Sequence, residues 1–271
     1  MKTNDIFNGP RFWTYFKYDL TQMWRNHMKA AIGIGLSGLF FYLVVVTLHL
    51  LAGEGWSGPG LGGRYAILLG AVTALELYQT RTYGYLTDRR KGAAWLMLPA
   101  SACEKWLSML LMTLLVIPVL FFAVFFGVDS ILALLDPSVG HSLAGSILGG
   151  MKDIAQELTQ VNETYQTTWA LESLLPLSIV GFCFNYLFFL LCGVCFRKHK
   201  ILYAFLIIFL LSLLLSALSP FLALNMDPEF EDFAQAEQYI RGVLNTTGIV
   251  AGMGAVLLAG GIYVRIKTLK H

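Results

Sequence analysis

The chain has 271 residues, of which 56% are hydrophobic and 13% charged. A soluble domain of this size carries about 25% charged residues, so the composition excludes an ordinary globular protein and points to the membrane. The net charge of +2 averages a basic face against an acidic one and gives no sign of a nucleic-acid partner.

Six apolar runs near 20 residues each are expected at residues 30–52, 65–86, 106–128, 173–196, 201–224 and 244–264. Each is long enough to cross a roughly 30 Å hydrocarbon core. Backbone groups in lipid must be satisfied within their own segment, which makes each run a helix. The predicted fold is therefore all-α: a six-helix transmembrane domain over 30–271, preceded by a cytoplasmic interfacial helix within 1–29. The segments before span one, between two and three, between four and five, and after six hold 15 of the 19 Lys and Arg. By the positive-inside rule they are cytoplasmic, and both termini with them.

No small-residue cleavage site follows the charged and aromatic stretch 1–29, so no cleavable signal peptide is expected. Pro10 suits the first turn of a helix. Phe12, Phe16, Leu20, Met23 and Trp24 then recur at helical spacing, with Arg11, Thr14, Lys17, Thr21 and Arg25 around the remaining wheel. Such a helix lies in the interface, apolar side toward lipid and basic side toward anionic headgroups.

A Gly-rich turn at 53–63 leads to span two, where Glu76 is the one carboxylate deep in a span. Thr73, Gln79, Thr80 and Tyr83 share its side of the helix. This polar stripe either lines a translocation path through Thr73, Glu76, Thr80 and Tyr83 or fixes helix packing. Arg81 lies off that face and snorkels to headgroups. The connection 87–105 opens with Asp88-Arg89-Arg90-Lys91-Gly92 and breaks at Pro99, and Ser101 with Glu104 forms a capping-box signature. It reads as a short helix, a kink and re-entry into span three.

An external amphipathic helix is predicted over 147–169, carried by Ile147, Met151, Ile154, Leu158, Val161, Tyr165 and Trp169. An acidic stretch at 227–237 precedes span six. Ser178 and Asn185 in span four, and Ser212, Ser216 and Ser219 in span five, suit helix packing. Gly248 and Gly252 form a GxxxG pair expected to pack within the bundle.

Catalytic patterns fail on inspection. Gly35-Leu36-Ser37-Gly38 matches a serine-protease string, yet no later span supplies a histidine base. Cys192 and Cys195 form a single pair without a second ligand pair, and Cys103, Cys183, Cys192 and Cys195 are expected as thiols. No GxxxxGK[ST] string is present, so this chain is not read as an ATP hydrolase or as any other enzyme, and no metal site is assigned.

The segment Tyr83-Gly84-Tyr85-Leu86-Thr87-Asp88-Arg89-Arg90-Lys91-Gly92, with Leu96-Met97-Leu98-Pro99-Ala100-Ser101 and Glu104-Lys105-Trp106-Leu107-Ser108, resembles the connection between spans two and three in membrane subunits of ABC type-2 transporters. The resemblance implies a permease subunit of an ABC exporter in a bacterial inner membrane. It implies a second permease subunit, identical or paralogous, and separate ATPase subunits that bind ATP and Mg. It places ATPase coupling on Arg89, Arg90, Lys91, Leu98, Pro99, Glu104 and Lys105, and an elbow helix on Phe12, Phe16, Leu20 and Trp24. The competing expectation is a membrane scaffold or sensor-associated protein without transport.

Overall fold

A computed structural model describes residues 7–147, 149, 169–224 and 233–268. Every regular element among them is helical. Most of the expected helix at 147–169 and most of the acidic stretch 227–237 lie outside the described residues. The chain divides into two compact units, 1–78 with 99–166 and 79–98 with 167–271.

In the first unit, α1 (Gly9–Met23) starts on Asn8, whose side-chain oxygen accepts from the Arg11 N–H, with Pro10 in the first turn. A π turn at Trp24–Met28 leads into α2 (Lys29–Gly35) and, past Leu36, α3 (Ser37–Leu51). Together they make one 43-residue helix, Gly9–Leu51. Its buried side carries Tyr15, Asp19, Met23, Met28, Ala31 and Gly35. All steps are three or four residues except Met23 to Met28, and the π turn falls on that five-residue step. A regular helix would carry such a step about 140° away from the stripe. The wider turn keeps the stripe facing protein.

Further along this unit, α4 (Leu61–Thr82) contributes its residues up to Tyr78. The helical run Ala102–Leu135 comprises α6 (Ala102–Leu111), a π turn at Met112–Val116 and α7 (Ile117–Leu135). α2 and α3 pack along α7. At Gly35 a Cβ would meet Val124 Cγ1 at 3.0 Å, and at Gly38 it would meet Phe125 Cε2 at 3.5 Å. The two glycines of the protease-like string thus let helices approach closely.

The second unit holds the end of α4, a 3-10 turn at Gly84–Thr87, α5 (Arg89–Leu96), α8 (Trp169–Cys195), α9 (Lys200–Leu224) and α10 (Phe233–Thr268). Pairing of α8 with α10 is the most extensive helix contact in the unit. A Cβ at Gly248 would touch Leu177, one at Gly252 Val180, one at Gly254 Phe184 and one at Gly261 Leu191. Partner numbers rise together, so the two helices run parallel, and α9 returns the chain between them. The GxxxG pair packs against α8.

Six spans are not found. Four helices among the described residues are long and apolar enough to cross a membrane: Gly9–Leu51, Ala102–Leu135, Pro176–Cys195 and Arg241–Thr268. The second expected span is helical as α4, but Arg64, Glu76, Gln79 and Arg81 dilute its apolar character. The fifth is helical as α9, but its apolar stretch among the described residues covers only Lys200–Leu214, shorter than the roughly 20 residues a crossing needs.

Candidate functional site: a glutamate junction on the first helix

Ser101 is the N-cap of α6, with extended φ −69° and ψ 160°. Its hydroxyl accepts from the Glu104 N–H at 3.2 Å, and Glu104 Oε2 accepts from the Ser101 N–H at 2.9 Å. This reciprocal capping box satisfies backbone donors that a helix start otherwise leaves unpaired. The same carboxylate also reaches α1. Oε1 accepts from the Asn8 N–H at 2.8 Å and from Arg11 Nη2 at 2.9 Å, while Arg11 Nε lies 2.9 Å from Oε2. Glu104 has no exposed surface. One buried charge therefore joins the turn after α5 to the beginning of the first helix. One turn further along, the Ser108 hydroxyl donates to Asp19 at 2.6 Å, and both groups are buried.

The other expected coupling residues are placed differently. Arg89, Arg90 and Lys91 lie on α5, and their side chains are outside the described residues. Leu98 is half-buried, Pro99 is exposed and Met97 is 84% exposed. Lys105 is buried beside Glu104 in sequence. On α1, Phe12, Phe16 and Leu20 are half-buried, and Trp24, at the start of the π turn, is exposed.

The polar stripe of α4 grades from outside to inside. The exposed Thr73 hydroxyl donates to the Leu69 carbonyl in its own helix. Glu76 is half-buried, and Gln79, Thr80 and Tyr83 are buried. Tyr83 sits just past the helix end, so it no longer shares the helical face. Around it, Lys200 Nζ donates to Thr87 Oγ1 at 2.9 Å and to the Gly193 and Gly84 carbonyls. Burial pushes the Lys200 ammonium below the usual lysine pKa. Lys200 is thus a clasp within its unit.

Two further buried groups escaped the sequence reading because each partner is distant in the chain. Arg64 Nε donates to Asp129 at 2.9 Å, and its Nη1 donates to the Val139 and His141 carbonyls. The second Asp129 oxygen accepts from the Leu143 N–H. Asp129 lies inside α7, which runs to Leu135 rather than ending at the expected residue 128. Asp136 follows directly and accepts from the Tyr42 hydroxyl at 2.7 Å, Trp56 Nε1 at 3.0 Å and the Ser138 N–H at 2.9 Å. The Tyr42 hydroxyl leads these donors in holding the Asp136 carboxyl down to about 2. The signal available in sequence was an arginine and an aspartate near the ends of two neighbouring apolar helices, a pairing that hydrocarbon would demand.

Among the described residues no three His, Cys, Asp or Glu side chains converge as a metal site. All four cysteines are free. Among the described residues, several long apolar helices and no other kind of regular element are consistent with a polytopic membrane protein. No family model, no curated protein and no solved structure matches this chain.

Proposed function

We propose that this chain is the membrane-spanning subunit of an ABC transporter, exporting a substrate with energy from a separate ATPase. The observation that carries the reading is Glu104, which ties the turn containing Pro99 to Arg11 and Asn8 of the first helix. Force applied at that turn would reach the first helix through a buried charge-assisted contact rather than a mobile linker. In this reading the connection carrying Arg89, Arg90, Lys91, Leu98 and Pro99 in sequence would be the docking element. ATP and Mg belong to the partner in this reading, a second permease subunit completes the path, and the cytoplasmic side of a bacterial inner membrane holds both termini. Glu104 and Lys105 would then act as internal braces of the coupling element.

A non-transporting membrane scaffold is the second reading, favoured by the burial of Thr80 and Tyr83, which suits packing better than a conduit. Affinity purification of the tagged chain from its native membranes separates the two. Co-purification of an ABC ATPase, lost on Arg90→Glu or Leu98→Asp, supports the permease. Repeated purification without an ATPase, with both variants silent, sinks it.

A further inference from the structure

The first helix changes its hydrogen-bonding pattern at Trp24–Met28. Beside that π turn lies a polar groove of about 310 Å³, lined by Tyr18, Thr21, Gln22, Arg25 and Asn26. Single π turns recur at functional sites because the extra residue re-aims side chains. Tyr18, Arg25 and Asn26 are exposed, and the Thr21 hydroxyl donates to the Lys17 carbonyl. Two more exposed cations stand on the same helix, Lys17 and Lys29. Lys17 lies 5.5 Å from the centre of the Trp13 ring. The single carboxylate within residues 7–51, Asp19, is buried and bound to Ser108. The groove is thus lined by hydrogen-bonding side chains and one cation, Arg25, and no carboxylate lines it.

Beyond Lys29 the exposed surface turns apolar at helical spacing through Gly33, Leu36 and Phe40, the last two 38% and 71% exposed. A Cβ at Gly33 would meet nothing within 4 Å, so the strip has room beside it. Trp24, 56% exposed, sits at the change from polar to apolar, where amphipathic rings favour a membrane interface.

We infer that this groove binds the phosphodiester of an anionic phospholipid, with Arg25 and Asn26 as its principal donors and an acyl chain along Gly33, Leu36 and Phe40. The charge complementarity is with phosphate, and the adjoining apolar strip selects the lipid over a free anion. The inference needs only a membrane-embedded chain, so it stands or falls independently of transport.

Native mass spectrometry of the full-length protein in neutral detergent tests it, with dioleoylphosphatidylglycerol, dioleoylphosphatidylcholine and inorganic phosphate as probes. Phosphatidylglycerol should be retained over phosphatidylcholine by about tenfold, the scale of one or two cationic contacts at a membrane surface. Arg25→Gln combined with Asn26→Ala should erase the preference, whereas Lys267→Gln, removing an exposed cation of α10, should keep it. Arg25→Lys should retain most of it, which separates loss of charge from loss of fold. Equal retention of both lipids, an unchanged preference in the double variant, or displacement of phosphatidylglycerol by millimolar phosphate would overturn the assignment.

Discussion

Gly193 of α8 lies against the backbone of Thr80 in α4, so close that a Cβ on Gly193 would stand 2.6 Å from the Thr80 carbonyl oxygen and 2.9 Å from its Cα. Backbone cannot rotate away as a side chain can. Gly193→Ala should therefore destabilise the protein by about 1–3 kcal/mol, the usual cost of overpacking. Gly181→Ala, with open space around its Cβ, should cost far less. Thermal unfolding in detergent compares the two directly.

Arg64 and Asp129 are each at least nine-tenths buried. Removing one partner leaves an uncompensated buried charge, so Arg64→Met or Asp129→Leu should each cost about 3–5 kcal/mol. The double variant should lie closer to wild type than either single one. A double-mutant cycle on unfolding free energies shows this, and simple additivity would argue against a tight pair.

Ser101 and Glu104 share a capping box, but only Glu104 also holds α1. Ser101→Ala should cost about 1 kcal/mol, the ordinary price of a lost cap. Glu104→Ala should cost about 3 kcal/mol or more, because the Asn8 N–H and Arg11 lose their shared acceptor. Protease cleavage near residue 8 should rise in the Glu104 variant and stay at wild-type level in the Ser101 variant.

Asp136 titrates at about 2, below the usual carboxylate value. A depressed acid pKa means that the unfolded chain binds the proton more readily than the folded one. The stabilisation is thus complete above about pH 4, the unfolded value, and is lost as pH falls through the folded one. Asp136→Asn should flatten the pH dependence of unfolding between about pH 4 and 2. An identical acid limb in wild type and variant would disprove this role.

Much of the local structure was legible. Pro10 opens its helix, Ser101 and Glu104 make the expected box, and the break near Pro99 separates two helices. What local pattern could not provide was the partner of a charge. Glu104 meets Arg11 across 93 residues, and Arg64 meets Asp129 across 65. The wheel of the first helix also left its protein side open. The buried stripe runs through Tyr15, Asp19 and Met23, and the acid in it is tolerated because Ser108 donates to it. The number of spans failed for a different reason: α4 forms as a helix, yet its charged and polar residues hold its hydropathy below that of a spanning helix.

The π turn at Trp24–Met28 sets the phase between the two halves of the Gly9–Leu51 helix. Deleting one residue inside it would convert the five-residue step into four and leave the buried sides of both halves aligned. Deleting one residue elsewhere, between Met28 and Gly35, would turn everything downstream by about 100° and present Gly35 to the wrong neighbour. Tolerance to shortening should therefore be concentrated in five positions of a 43-residue helix.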